Sequence, residues 1–207
     1  MKDIKVIKTE IAEMSKSSLK MLELTHRAFM EHDLDLIALA LEEEIKINEL
    51  EKSITTDLVS LSRAYIKKEE RTEIAILVDV VEDLELVGDY CKDILERVQI
   101  KIEEKLLFSD EAVKEYNQLY VLTADALKEI VNAFLKEDLS LVREVLKNDQ
   151  HIDDFVDQLR KSHNQRLLNG VCIPMACNMF LNMLDFTAAI YYHAKKIARS
   201  LLKIKNG

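Results

Sequence analysis

The first glycine of this 207-residue chain is Gly88, and only two more glycines and a single proline, Pro174, follow it. Tight hairpins and the short loops of β–α units need positive φ at defined points, which glycine supplies and most residues resist. A chain this poor in turn residues has to be built from long helices joined at few corners. An all-α fold is therefore expected. Apolar residues make up 48% of the chain and charged residues 32%, which supplies a core and a solvated face and is not the composition of a disordered segment.

Apolar periodicity and end signals predict six helical segments, at about 2–31, 33–67, 70–104, 110–136, 139–169 and 174–205. Ser109 ahead of Asp110 and Glu111 reads as an N-cap with an acidic first turn. Asn169-Gly170 reads as a helix end, and Pro174 suits the first turn of the helix that follows.

An offset of 105 residues exposes an internal repeat. Phe29, Asp33, Leu34 and Leu36 recur as Phe134, Asp138, Leu139 and Leu141. At the same offset Leu41 meets Leu146, Glu44 meets Asp149, Ile47 meets Ile152 and Asn48 meets Asp153. Near the end the offset slips to 103, which pairs Lys92 and Ile94 with Lys195 and Ile197. Long helices with short connections pack as antiparallel neighbours. The expected architecture is a tandem repeat of two three-helix bundles, residues 1–105 and 106–207, packed as one domain.

The net charge of −9 is unevenly placed. Residues 1–105 carry 16 Lys and Arg against 25 Asp and Glu, whereas residues 106–207 carry 13 of each. Neither half has the basic footprint of a nucleic-acid binder; the acidic half is better suited to cations. The spacing of Cys172 and Cys177 matches no standard zinc or redox motif, and all three cysteines read as reduced, intracellular and structural. No apolar run is long enough to cross a bilayer and no signal-peptide core opens the chain, so a cytoplasmic protein, or a cytosolic piece of something larger, is expected.

Some carboxylates fall on the wrong face of their helices. In the third segment Ile74, Leu77, Val81, Leu84, Gly88, Cys91 and Leu95 form an apolar arc. Glu85 lies inside it and Asp89 and Asp93 lie along its edge, while Glu82 and Asp83 point outward as ordinary solvated charges. In the second segment Glu44 and Glu51 fall within the apolar band, with Asn48 at its margin. Counting from a hairpin turn near residues 68–70, Asn48 is level with Asp89, and Glu44 with Asp93. Buried acids without partners are heavily penalised. Pairing with Lys or Arg, a wet groove, or a divalent or trivalent cation would each relieve them, and few basic residues border these arcs. A ferritin-type di-iron centre is disfavoured, because the one Glu-x-x-His match, Glu23 to His26, lies away from the stripe. His26, His32, His151, His163 and His193 are scattered, and no nucleophile motif, oxyanion hole or phosphate cradle supports a hydrolase.

Asp83-Leu84-Glu85-Leu86-Val87-Gly88-Asp89 resembles the DLERIGD signature of the PhoU family of phosphate-uptake regulators. Glu44 to Asn48 is similar to that family's Asp-x-x-x-Asp on the preceding helix, and Asp149 to Asp153 matches it outright. The resemblance extends over essentially the whole chain. Phe108 to Ala112, His163 to Leu167 and Gly170-x-Cys172 look most like the cytosolic PhoU-like domain of sodium/phosphate cotransporters.

The resemblance implies a non-enzymatic regulator of phosphate uptake that acts by contact with a phosphate transporter, its membrane domain or a sensor kinase. The exposed face of such a bundle usually associates, so a homodimer is expected, and the charge balance points to no nucleic-acid partner. The resemblance also implies an iron or zinc cluster on the acidic motifs, with Glu44, Asn48, Glu85, Asp89 and Asp93 at a first site and Asp149, Asp153 and Asp185 at a degenerate second one; an absence of any cofactor stays open beside it. Asn48 stands where the family has an acid, Leu86 where it has arginine, and Ala188 and Tyr192 where the second unit should have Glu and Asp. The alternative function is a helical bundle that senses or buffers iron, zinc or manganese.

Overall fold

Seven helices account for nearly all of the described residues, and no strand occurs among them. The structure is a computed structural model and describes residues 2–63, 67–138, 140–147 and 149–204, with the side chains of 149–151 excepted. The helices are α1 (Ile4–Glu31), α2 (Leu34–Ser62), α3 (Lys68–Glu103), α4 (Asp110–Leu135), α5 (Val142–Lys147), α6 (Asp149–Leu168) and α7 (Pro174–Ile204). Helices α1–α3 form the first unit of the tandem and α4–α7 the second. The fifth predicted segment is described as α5 and α6, on either side of Asn148, which lies outside the described residues.

The corners explain how the chain manages with so little glycine. His32, Lys105 and Glu137 adopt left-handed backbone at φ 55°, 51° and 51°, and only one such corner, at Gly170, uses glycine. The repeat is visible here in atomic detail. After α1 the Asp33 amide donates to the Ala28 carbonyl, and the Asp33 carboxylate accepts from the Asp35 amide at 2.8 Å. After α4, 105 residues later, Asp138 donates to Ala133 and accepts from the Ser140 amide at 2.9 Å. Ser109 caps α4 as expected, accepting from the Ala112 amide at 3.2 Å.

Helix α3 is buried on two sides. The arc read from the sequence, from Ile74 through Gly88 to Leu95, faces α1 and α2. A second arc, Ile76, Val80, Val87, Ile94 and Val98, is equally buried. It belongs to the contact with α7, the most extensive between any two helices. Two charged residues, Asp83 and Lys101, interrupt it and are buried as well. The Lys101 ammonium lies 5.1 Å above the Phe29 ring and 5.7 Å from that of Phe108, a placement that favours a cation over an aromatic face. Burial pushes its pKa down. Phe29 of α1 meets Tyr116 of α4 edge-on at 5.0 Å, which ties the units together at a second seam. No helix among the described residues is long and apolar enough to cross a membrane.

Candidate functional site

The α2–α3 hairpin sets the acidic stripe within two residues of the expected register. Glu44 reaches Lys92, and Ile47 lies against Gly88. A Cβ built on Gly88 would stand 3.3 Å from Ile47 Cδ1, so the missing side chain is what lets the two helices approach at this level.

Lysines reach the inner acids after all. Glu44 is buried, and its Oε1 accepts from Lys92 Nζ at 3.0 Å and from Asn48 Nδ2 at 3.0 Å. Glu43 accepts from Lys20 Nζ at 2.6 Å. Burial pushes Glu43 upward, but its hydrogen bond from Lys20 and the nearby Ser17 hydroxyl outweigh this and leave its pKa below the ordinary value. A helical wheel misses both pairs because Lys20 comes from α1 and the exposed Lys92 reaches inward on a long apolar stem.

Glu85 has a different environment. Burial, Asp89 and Glu51 raise its pKa in that order, and Asp89 is close enough to share a hydrogen bond with it. Asp89 itself is exposed, and Asp93 is held above its ordinary value by burial and by Glu96. The stripe thus offers a cation the Glu85–Asp89 pair, with Glu51 alongside, while Glu44 and Asn48 are bonded to each other and to Lys92. In the second unit Asp185 is clamped by Arg160, whose Nε and Nη2 donate to Oδ1 at 3.0 and 2.5 Å. Asp153 is exposed, and the Asp149 side chain lies outside the described residues. Among the described residues, the group of three His, Cys, Asp or Glu side chains whose ligand atoms converge is a different one, His163, Cys172 and Cys177.

A carboxyl whose folded pKa lies above its unfolded value gives stability that is present at low pH and lost as pH rises through the folded pKa. In metal-free protein, Glu85→Gln is therefore expected to raise stability at pH 7, by less than about 1 kcal/mol because the group is partly solvated. The gain should fade as pH falls to about 4, near the unfolded value. Thermal melts of both proteins across pH check this, and a loss of stability at pH 7 would contradict it.

Two polar clusters lie where the sequence expectation put neither. Asp83, expected to be solvated, is 0% exposed. Its Oδ1 accepts from Lys196 Nζ at 2.8 Å and lies 2.8 Å from His193 Nδ1, both on α7, while Oδ2 has no partner. The misplacement has a physical cause: Asp83 faces the second unit, which a wheel drawn for one bundle treats as solvent. Its place in the second apolar arc, three residues after Val80 and four before Val87, is the signal that was available.

The other cluster forms where α6 turns back into α7. Gly170, at φ 69°, reverses the chain after Leu168, and this brings Cys172 and the buried Cys177 beside His163. One ligand atom from each lies within 4.8 Å of the other two. The His163 ring is 1% exposed and stacks on Phe180 at 4.2 Å. Its Nδ1 is 3.1 Å from Arg166 Nη2, and the Arg166 fork grips Glu115 at 2.5 and 3.0 Å. Burial and Arg166 lower the His163 pKa. The Cys177 thiol is pushed up to about 11 by burial and by its hydrogen bond to Cys172.

The sequence matches the family model for the PhoU domain twice, over residues 11–98 and 116–201, which is more than half the chain. It is similar to the phosphate-specific transport system accessory protein PhoU homolog 1 of Thermotoga maritima, at 26% identity over 169 residues, 81% of this chain and 72% of that protein. A PhoU homolog of Clostridium acetobutylicum that carries the same accessory-protein name is 25% identical over 81% of this chain and 74% of its own. Among solved structures, PhoU from Pseudomonas aeruginosa superposes with a TM-score of 0.89 at 20% identity, covering 99% of this chain and 97% of that one. The phosphate transport system regulatory protein PhoU from Streptococcus pneumoniae gives 0.85 at 16%, covering 97% and 94%. At these identities the superpositions establish a shared fold.

Proposed function

Because this chain belongs to the PhoU domain family, we propose that it is a non-enzymatic regulator of phosphate transport, acting on the cytoplasmic side by contact with a phosphate transporter or its sensor. The observation that carries this reading is that the family match runs through both units, α1–α3 and α4–α7. The relatives that span most of the chain are named as accessory proteins of phosphate-specific transport. A bundle whose units share the α3–α7 seam supplies long exposed helix faces for a partner, and self-association as a homodimer would use one of them.

The test is phosphate uptake in a strain lacking the gene, together with pull-down of the tagged protein. Severalfold altered uptake, restored by the wild-type gene, and recovery of a phosphate-transporter component are expected. Unchanged uptake with no transporter partner would reject the proposal.

The second reading, a bundle that senses or buffers iron, zinc or manganese, is favoured by the Glu85–Asp89 pair, two neighbouring carboxylates beside Glu51. Oxygen ligands of this kind suit hard or borderline cations. Elemental analysis of protein purified without chelators separates the two. Stoichiometric metal lost on Glu85→Ala and Asp89→Ala would support this reading, and metal-free protein of unchanged stability would remove it.

A further inference from the structure

We infer that His163, Cys172 and Cys177 form a site for Zn2+ at the α6–α7 corner, separate from the acidic stripe and independent of the role in phosphate transport. Three features of the corner carry this. The first is the donor set: two thiols and an imidazole are the borderline-soft ligands that structural and three-ligand zinc sites use. The second is convergence, since the three ligand atoms already lie within 4.8 Å of one another. Zn–S bonds of about 2.3 Å and Zn–N bonds of about 2.0 Å in a tetrahedron set donors roughly 3.5–3.8 Å apart, so closure needs a movement of about 1 Å. Cys172 sits on the loop between the helices and is free to make most of that movement.

The third feature is an unmet polar atom. His163 is 1% exposed, and its Nε2 makes no hydrogen bond. The Cys177 backbone exerts a weak pull on the ring but does not reach hydrogen-bonding geometry with that nitrogen. A buried ring nitrogen without a partner forfeits about 1–3 kcal/mol, and a zinc bond is one way to recover it.

Charge is conserved within the corner. Zn2+ enters, both thiols lose their protons to solvent, and two thiolates cancel the charge of the ion. Coordination at Nε2 leaves the ring proton on Nδ1, where Arg166 now donates. Arg166 yields that one contact and keeps its fork to Glu115 and its bond to Ser162. Arg166 and Glu115 already neutralise each other, so the loaded corner buries no unpaired charge. The fourth position faces the partly exposed side at Cys172 and is filled by solvent. A disulfide between the two cysteines would use the same sulfurs, but it would need an oxidant and would leave Nε2 unmet.

The test uses the full chain, reduced under inert gas, stripped with a chelator and titrated with Zn2+ against a chromogenic zinc indicator. One Zn2+ per chain and release of two protons are expected. Cobalt in place of zinc should show a thiolate charge-transfer band and the intense visible bands of a tetrahedral site. Cys172→Ser, at the partly exposed position where folding is least at risk, should weaken binding at least tenfold and remove the charge-transfer intensity from one thiolate. Glu85→Gln with Asp89→Asn should leave this binding unchanged, which keeps it distinct from any cation at the stripe. Absence of stoichiometric zinc, zinc binding that survives Cys172→Ser and Cys177→Ser, or a disulfide that persists under anaerobic handling would each overturn the inference.

Discussion

Lys196→Met is expected to destabilise the fold by about 2–4 kcal/mol, because it leaves the Asp83 carboxylate buried with one of its two hydrogen-bonding partners gone. For a chain of this size that corresponds to a fall in melting temperature of roughly 6–12 °C. Asp83 is fully enclosed between α3 and α7, so water cannot replace the ammonium. Lys196 keeps nearly half of its side chain in solvent, which puts the expected loss toward the lower end. His193→Leu should cost a comparable amount, since the ring bonds the same oxygen and is itself 8% exposed. Replacing the triad outright, with Asp83→Leu, His193→Phe and Lys196→Met together, should recover most of the loss, because an apolar cluster of similar volume commonly equals a buried ion cluster in stability. Denaturant unfolding of the single and triple variants checks both parts. A single-variant loss under about 0.5 kcal/mol would mean that the carboxylate reaches solvent.

Gly88→Leu has the second large expected effect, a loss of about 3 kcal/mol. A mid-helix glycine forfeits about 1 kcal/mol relative to alanine. On propensity alone any replacement should therefore stabilise. The obstacle is Ile47, whose Cδ1 would be 3.3 Å from the first added carbon. One carbon presses on the mobile end of a side chain, and Gly88→Ala is expected to fall within about 1 kcal/mol of wild type as gain and strain offset. Leucine adds three more carbons to a space already filled by Ile47 and must push α2 away. Ile47→Ala opens that space, so the double variant should be more stable than the sum of the single losses implies by more than about 1 kcal/mol. Strict additivity would show that Gly88 is not a contact point between the helices.

The features legible in the sequence were those that repeat or that act along one helix. Scarce turn residues made the chain helical, and the 105-residue offset reappears as paired corners at Asp33 and Asp138 with matching hydrogen bonds. The stripe was legible as a face, and its register followed from counting residues back from the hairpin. What failed to read out depends on which helix comes to lie opposite. Lys20 and Lys92 reached Glu43 and Glu44 from beyond their own arcs, Arg160 took Asp185, and α7 enclosed Asp83. His163 and Cys172 are nine residues and one reversal of direction apart, so their approach depends on the corner at Gly170 and on no spacing rule.

The two apolar arcs of α3 bear on how a molecule of this form came to exist. A lone three-helix unit would leave Ile76, Val80, Val87, Ile94 and Val98 facing water, a stripe too apolar for a soluble monomer. The simplest way to cover it is a second copy of the same unit set against the first, which is a symmetric dimer. Joining two such genes end to end would make that partnership permanent and would free each half to diverge. The residues that cross the seam show such divergence: Asp83 on one side now answers His193 and Lys196 on the other, an arrangement that two identical halves could make only twice over or not at all.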